Sequence, residues 1–252
     1  MIRLFRREAP TSRDSLIVRH SGETFAVALK RVRGARRYTL RVRAATRDVV
    51  LSMPARGSLE SAREFAERHA AWIGARLRRL PSVVPFAAGA IVPLRGVEHV
   101  IVLLSQARGV VWVEPPATGP ESRPRLCVAG DASFAARRIA DFLKREARRD
   151  LDAAVKRHTA ALEKPARRVS VRDTTSRWGS CAASGALSFS WRLILAPPFV
   201  LDYLAAHEVA HLAHMNHSPA FWALAKKLSP DTDRAEVWLK AHGVSLHRYG
   251  AR

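Results

Sequence analysis

Apolar and polar positions alternate with period two in three stretches between residues 25 and 53: FAVALKRV, RRYTLRVRA and DVVLSMP. Turn signals fall between them at Gly34 and over residues 46–48. Alternation of this kind turns one face of a strand to a core and the other to solvent, so three short antiparallel strands are expected. The period then changes. After Pro54 and Gly57, the residues Leu59, Ala62, Phe65, Ala66, Trp72, Ile73, Leu77 and Leu80 recur at helical spacing, with Ser58 as N-cap and Pro81 as the stop. The same order returns later. HVIVLL, GVVWVE and RLCVAG read as a second meander whose last turn is the loop 115–124, and Asp131 caps a long helix. The stripe of that helix runs through Phe134, Ile139, Phe142, Leu143, Ala147, Leu151, Val155 and Leu162, and Pro165 ends it. No residue-level repeat accompanies the recurrence. The apolar stretch 83–94 between the two halves is interrupted by Pro85 and Pro93 and reads as a linker and strand entry.

Beyond Pro165, RVSVRD alternates as a strand, TTSRWGSCAASG forms a loop, and ALSFSWR alternates again, expected to pair antiparallel with its predecessor through that loop. Pro197 and Pro198 suit the start of a helix, which then runs into LAAHEVAHLAHMNHSPAFW at residues 204–222. An α+β fold follows, with that helix packed on a mainly antiparallel sheet and a β-rich part in front. The expected division is a disordered lead-in over 1–20, a β-rich part with one helix over 21–130, and a catalytic part over 131–252.

Composition adjusts this picture in three ways. At 252 residues with 48% hydrophobic positions, the chain can bury a substantial core. A net charge of +21 suggests an anionic partner, although only seven of the 43 basic residues are Lys and the Arg are scattered, a bias that composition alone produces. A weak, charge-driven association with nucleic acid is the reading this supports. Two cysteines, Cys127 and Cys181, make no disulfide framework, and no apolar run reaches membrane-spanning length, so a reduced, cytoplasmic protein without a membrane is expected.

The chemistry is concentrated in HEVAH. His207 and His211 stand four apart and share one helix face, so both imidazoles can reach a single ion with Glu208 beside it. A catalytic zinc takes three protein ligands and keeps one position for water. On a continuing helix His214 would lie about 10.5 Å along the axis from His207, too far to close a tetrahedron. His217 is better placed, because Asn216 can take the left-handed conformation that ends helices, while Ser218 and Pro219 begin another. Glu236, in a helix from about residue 231 to 242, is the rival third ligand, or else a support for one. Glu208 is then the general base that takes a proton from zinc-bound water and passes it to the leaving group. A purely structural zinc would close with a fourth ligand and gain nothing from Glu208. His214, Trp222 and Trp238 read as packing or support, and His158, His242 and His247 as surface residues.

RWGSC at 177–181, the LSFSWRLILAPP passage, the Asp202-Tyr203 pair, HEVAH, NHSPAFW at 216–222 and WLKAHG at 238–243 together resemble the YgjP-like metallopeptidase family, relatives of the SprT-like zincins. The resemblance covers roughly residues 31–243, and RRYTLRV contributes near its start. It implies a zincin-like catalytic domain, zinc on His207, His211 and His217, and Glu208 as catalyst. It also draws the RWGSC loop toward the site, where Arg177 would meet an oxyanion or phosphate and Gly179 would allow close backbone approach. Val209 and Ala210 depart slightly from the usual residues inside the motif, with little chemical consequence. The leading expectation is a zinc peptidase acting on peptides or proteins, with the strand 186–192 pairing to an extended substrate. The alternatives are a metal-dependent hydrolase of nucleoside triphosphates and a basic, DNA-associated zinc module without activity.

Overall fold

The computed structural model describes residues 15–105, 110–116 and 122–250. Most of the expected lead-in, residues 1–14, and the tip of the 115–124 loop lie outside them. The described residues form six α-helices and eleven strands in mixed sheets, an α+β fold. They divide into two compact units, Met1–Pro81 and Ser82–Arg252.

In the first unit β1 (Ser15–His20), β2 (Glu23–Val32), β3 (Thr39–Val42) and β4 (Val49–Pro54) form one sheet in the order β1-β2-β4-β3. Residues 15–20 are therefore strand rather than lead-in, because Leu16 and Val18 alternate with exposed neighbours and enter the core. The expected antiparallel meander is also corrected. β2 runs parallel to β4, and β3 pairs antiparallel with the far edge of β4. Side chains explain the exchange. Val49, Leu51 and Met53 are at most 3% exposed, whereas Thr39 and Arg41 face solvent, so the more apolar strand takes the inner place and the polar one the edge. α1 (Leu59–Arg68) and α2 (Ala70–Arg78) cover one face of the sheet with Ala62, Ala66, Ala70 and Ile73. Ser58 caps α1 by accepting from the Ser61 N–H. The single helix expected over 59–80 breaks at His69, whose Nδ1 lies 2.7 Å from the Phe65 carbonyl and so occupies the acceptor that a continuous helix would use.

The second unit opens with β5 (Ile91–Leu94), β6 (Val97–Leu104), β7 (Val111–Glu114) and β8 (Arg125–Ala129), in the order β5-β6-β8-β7 with β6 parallel to β8. This is the arrangement of the first sheet, for the same reason. Residues 126–129 are buried, while β7 is only half-buried and takes the edge. Asp131 caps a 3-10 turn by accepting from the Ser133 N–H, and α3 (Ala135–Leu162) follows. Val92, Leu94, Ile101, Leu126 and Val128 share one core with Ile139, Leu143, Leu187, Phe189 and Leu193. The boundary expected at 130/131 therefore falls at Pro81 instead, since the second sheet has no core apart from the C-terminal elements.

β9 (Arg168–Arg172), β10 (Gly179–Cys181) and β11 (Ala186–Ser190) make a third sheet in the order β10-β11-β9. β11 runs parallel to β9, not antiparallel as expected, because part of the supposed loop is itself the strand that pairs antiparallel with β11. A buried 3-10 turn, Trp191–Leu195, leads to α4 (Pro198–Ala210), then α5 (Pro219–Leu228) and α6 (Thr232–Leu246). None of the described helices is long and apolar enough to cross a membrane.

Leu143 is fully buried where α3 meets the core of the second unit. Leu143→Ala should cost about 3 kcal/mol, seen as a lower urea midpoint with an unchanged slope.

Candidate metal centre

α4 is enclosed along most of its length, with Val200, Leu201, Leu204, Ala205, Ala206, Val209 and Ala210 all buried. His207 and Glu208 lie in its last turn and His211 is its C-cap. The helix ends well before Asn216. Leu212 and Ala213 donate back three residues to Val209 and Ala210, tightening the last turn, and no residue from 211 to 217 takes a left-handed conformation. The reversal expected from Asn216 is thus made by the turn after His211, with the His211 Nδ1 donating to the His214 carbonyl at 3.0 Å. Ser218 then caps α5 by accepting from the Phe221 N–H, and Pro219 occupies its first turn. His217 comes back over the end of α4.

The structure brings His207, His211 and His217 together, with their ligand-capable nitrogens within 4.8 Å of one another. Two tautomers can be read from hydrogen bonds. The Tyr203 hydroxyl donates to Glu236 Oε1 at 2.9 Å, so its oxygen accepts from His207 Nδ1–H at 3.3 Å. With Nδ1 engaged in both His207 and His211, the Nε2 lone pairs are left for a ligand role. His207 Nε2 faces His217 Nε2 across 3.2 Å, close to the ~3.3 Å separating two nitrogens bound tetrahedrally at ~2.0–2.1 Å from one ion. Burial, then the two neighbouring imidazoles, lowers the His207 pKa to about 4, and burial lowers that of His211 as well. Both rings are therefore neutral at physiological pH. Three imidazoles with converging nitrogens fit a divalent metal and leave a fourth position open.

Aromatic rings enclose the cluster. Phe221, fully buried, stacks on His211 with ring centroids 4.5 Å apart, and Trp222 stacks on His217 at 5.6 Å. Glu236 lies outside the ligand cluster and serves Tyr203. Glu208 is 4% exposed, and burial raises its pKa to about 7, with the Arg177 guanidinium pulling the other way. Among the described residues its carboxylate accepts no hydrogen bond.

β10 crosses beside this carboxylate. A Cβ on Gly179 would collide with Glu208 Oε1 and lie 2.7 Å from its Cγ and 2.8 Å from its Cδ, so only glycine fits the crossing. Trp178 anchors the strand from below, against Gly243 and stacked on His247 at 5.0 Å. Arg177 is exposed and makes no ion pair. The strand 186–192, expected to receive substrate, is flanked on both sides, and the sheet edge next to α4 belongs to β10.

Two histidines placed on the surface by the sequence are in fact interior. His158 belongs to the buried stripe of α3, with Nε2 2.9 Å from Asp202 Oδ1, and His247 is buried under Trp178. His242 is exposed as expected. Sequence reasoning missed Tyr203 and Phe221 as neighbours of the centre. The signal for Tyr203 was its position four residues before His207, on the same helix face.

A family model for the YgjP-like metallopeptidase domain matches residues 36–242, and the chain belongs to that family. Membership makes it a metal-dependent hydrolase at family level. Comparison with curated proteins and with solved structures finds no match.

Two measurements follow. Tyr203→Phe should weaken zinc binding about 10- to 100-fold without removing a ligand, while His217→Ala should abolish stoichiometric zinc; competition with a chromogenic chelator reads both. Glu208 has a folded-state pKa above its ordinary value of 4.5, so its contribution to stability is full below that value and is lost as pH rises through about 7. In the metal-free protein Glu208→Gln should therefore stabilise increasingly from pH 4.5 to 7, by up to about 3 kcal/mol, measured by urea denaturation of variant and wild type across that range.

Proposed function

We propose that the chain is a zinc peptidase of zincin type, with His207, His211 and His217 holding the ion and Glu208 acting as general base. The observation that carries the reading is the Glu208 carboxylate. It is buried beside three imidazoles, has its pKa raised to about 7, and accepts no hydrogen bond from the described residues, so its lone pairs are available to water or substrate. A zinc ion bound there would polarise a scissile carbonyl and make the attacking water more acidic. Glu208 takes a proton from that water and delivers it to the leaving amine. A group with a pKa near the working pH can do both.

The substrate lies along β10. This strand has one free edge, passes directly over Glu208 and carries Gly179, whose missing side chain lets another backbone approach. Main-chain pairing to that edge aligns an extended peptide with its carbonyl near the histidines. Arg177, exposed beside Glu208, then meets an oxyanion or a terminal carboxylate. Both cysteines are free, in keeping with the cytoplasmic setting we assign. The same Arg177 favours one second reading, hydrolysis of a nucleoside triphosphate, since a guanidinium beside the base also suits phosphate oxygens.

Zinc-loaded protein incubated with a denatured protein pool should release new N-termini. Glu208→Gln should lose at least about 10²-fold in rate while retaining zinc. Gly179→Ala should lose a similar amount, because its methyl group displaces the Glu208 carboxylate. Equal cleavage by wild type and Glu208→Gln would sink the peptidase reading, and phosphate release by wild type alone would favour the nucleotide one.

A further inference from the structure

Charge is distributed unevenly between the two units. Residues 1–81 hold 19 basic and 7 acidic side chains, a net +12 of the chain's +21, in less than a third of its length. In the second unit many arginines are neutralised by acids: Arg95 by Glu146 and Asp150, Arg125 by Glu114, Arg157 by Asp202 and Arg192 by Asp173. In the first unit the one ion pair among the described residues is Arg78 with Glu23.

Four of the first unit's exposed cations without an ion pair share a surface, while others, such as Arg63, Arg68 and Arg76, lie on α1 and α2. α1 and α2 cover the face of the sheet that carries Leu16, Val27 and Leu51. Register places Arg41, Val50, Ala28 and Ser15 in one row across the opposite face, and Thr39, Ser52 and Lys30 in the next. Arg19 and Arg43 belong to the same face, two residues along from its neighbours on their strands. All four cations are exposed and none makes an ion pair. Arg33, Arg36 and Arg37 extend the positive field from the connection between β2 and β3; Asp48 is the one acid among the described residues of the face, and Glu67 of α1 shares a hollow at its edge with Ile17 and Arg19. Between the cations the surface is low, built from Ala26, Ala28, Thr39 and Ser52.

We propose that this open sheet face is a docking surface for the phosphate backbone of nucleic acid, gripped by Arg19, Lys30, Arg41 and Arg43 without reading bases. Arg41 and Arg43 stand about 6.6 Å apart along one strand direction, so they can engage separate phosphates. The hydroxyls of Ser15, Thr39 and Ser52 supply further donors of the kind that contact phosphate oxygens. Among the described residues no aromatic ring lies on the face to stack on bases, which leaves charge as the source of affinity. A membrane surface is the poorer fit, because stable attachment needs an apolar anchor beside the cations, and Ile17 is the one exposed large apolar residue among those described on the face. The inference is independent of the catalytic reading.

The test measures binding of the full chain to a short mixed-sequence duplex by fluorescence anisotropy between about 50 and 200 mM salt. The triple variant Lys30→Gln, Arg41→Gln, Arg43→Gln should bind at least about 10-fold more weakly and show a salt slope shallower by about 2.7, or about 0.9 per lost phosphate contact. The control Arg145→Gln, Lys156→Gln, Lys164→Gln removes the same charge from exposed positions of α3 and its end. It should change the slope by less than about one. Equal losses in both variants would overturn the proposal, as would a wild-type slope near zero or binding to phosphatidylserine vesicles in preference to the duplex. Zinc content, read in parallel, should be the same in all three proteins.

Discussion

A helix that is apolar on nearly every side has to be enclosed on nearly every side, and α4 imposes that constraint on the second unit. α3, α5, α6, β10 and the 3-10 turn before it all pack against this one helix. Its polar groups therefore have to find partners inside the protein. Asp202 accepts from Arg157 and lies 2.9 Å from the His158 ring nitrogen, Tyr203 donates to Glu236, and His207 donates to Tyr203. His211 donates to the carbonyl of His214. Glu208 is the exception. Enclosure that satisfies the helix's other polar side chains leaves one carboxylate without a protein donor, and this supports the proposed general base independently of its place in a motif.

Burial acts on the acid and on the histidines in opposite directions with one result. Desolvation disfavours charge, so it raises the Glu208 pKa and lowers that of His207. The outcome is neutral rings at His207 and His211, at the end of the same helix as a carboxyl that gains and loses its proton near neutrality. Folding into this arrangement costs stability that a bound cation would return, since an ion binds only the folded cluster. The Glu236–Tyr203–His207 chain limits the cost by holding one ring at a fixed tautomer and angle. It also ties α6 to the centre through a residue outside the histidine cluster.

Much of this site was legible as spacing. HEVAH, the third histidine ten positions after the first and the Ser218-Pro219 start of α5 are local patterns, and local patterns survive folding unchanged. What the sequence could not show was pairing between distant segments. That α4 stops at Ala210 depends on a hydrogen bond from His211 to a carbonyl beyond the helix, and Asn216 looked the better terminator by propensity alone. That β10 is a strand depends on β11 lying beside it, and a three-residue segment has no periodicity to read. Glu236 could be placed on a helix but not assigned between ligand and support, because the choice rests on where α6 packs. The strands themselves were visible as alternation, and their order was not.

Strand order nevertheless follows from a property that is present in the sequence. In both four-stranded sheets the last strand in the chain is more apolar and more buried than the strand before it, β4 with Val49, Leu51 and Met53 and β8 with Leu126, Cys127 and Val128. Each inserts between two earlier strands, pairing parallel with one and antiparallel with the other. A meander would have left that strand at an edge with one side unpaired, exposing the residues most costly to hydrate. Moving it inward puts the more polar β3 or β7 at the rim. In the first unit this exchange carries Arg41 to the sheet margin beside the arginines of the β2–β3 connection. The sorting that protects the core thus also gathers the charge.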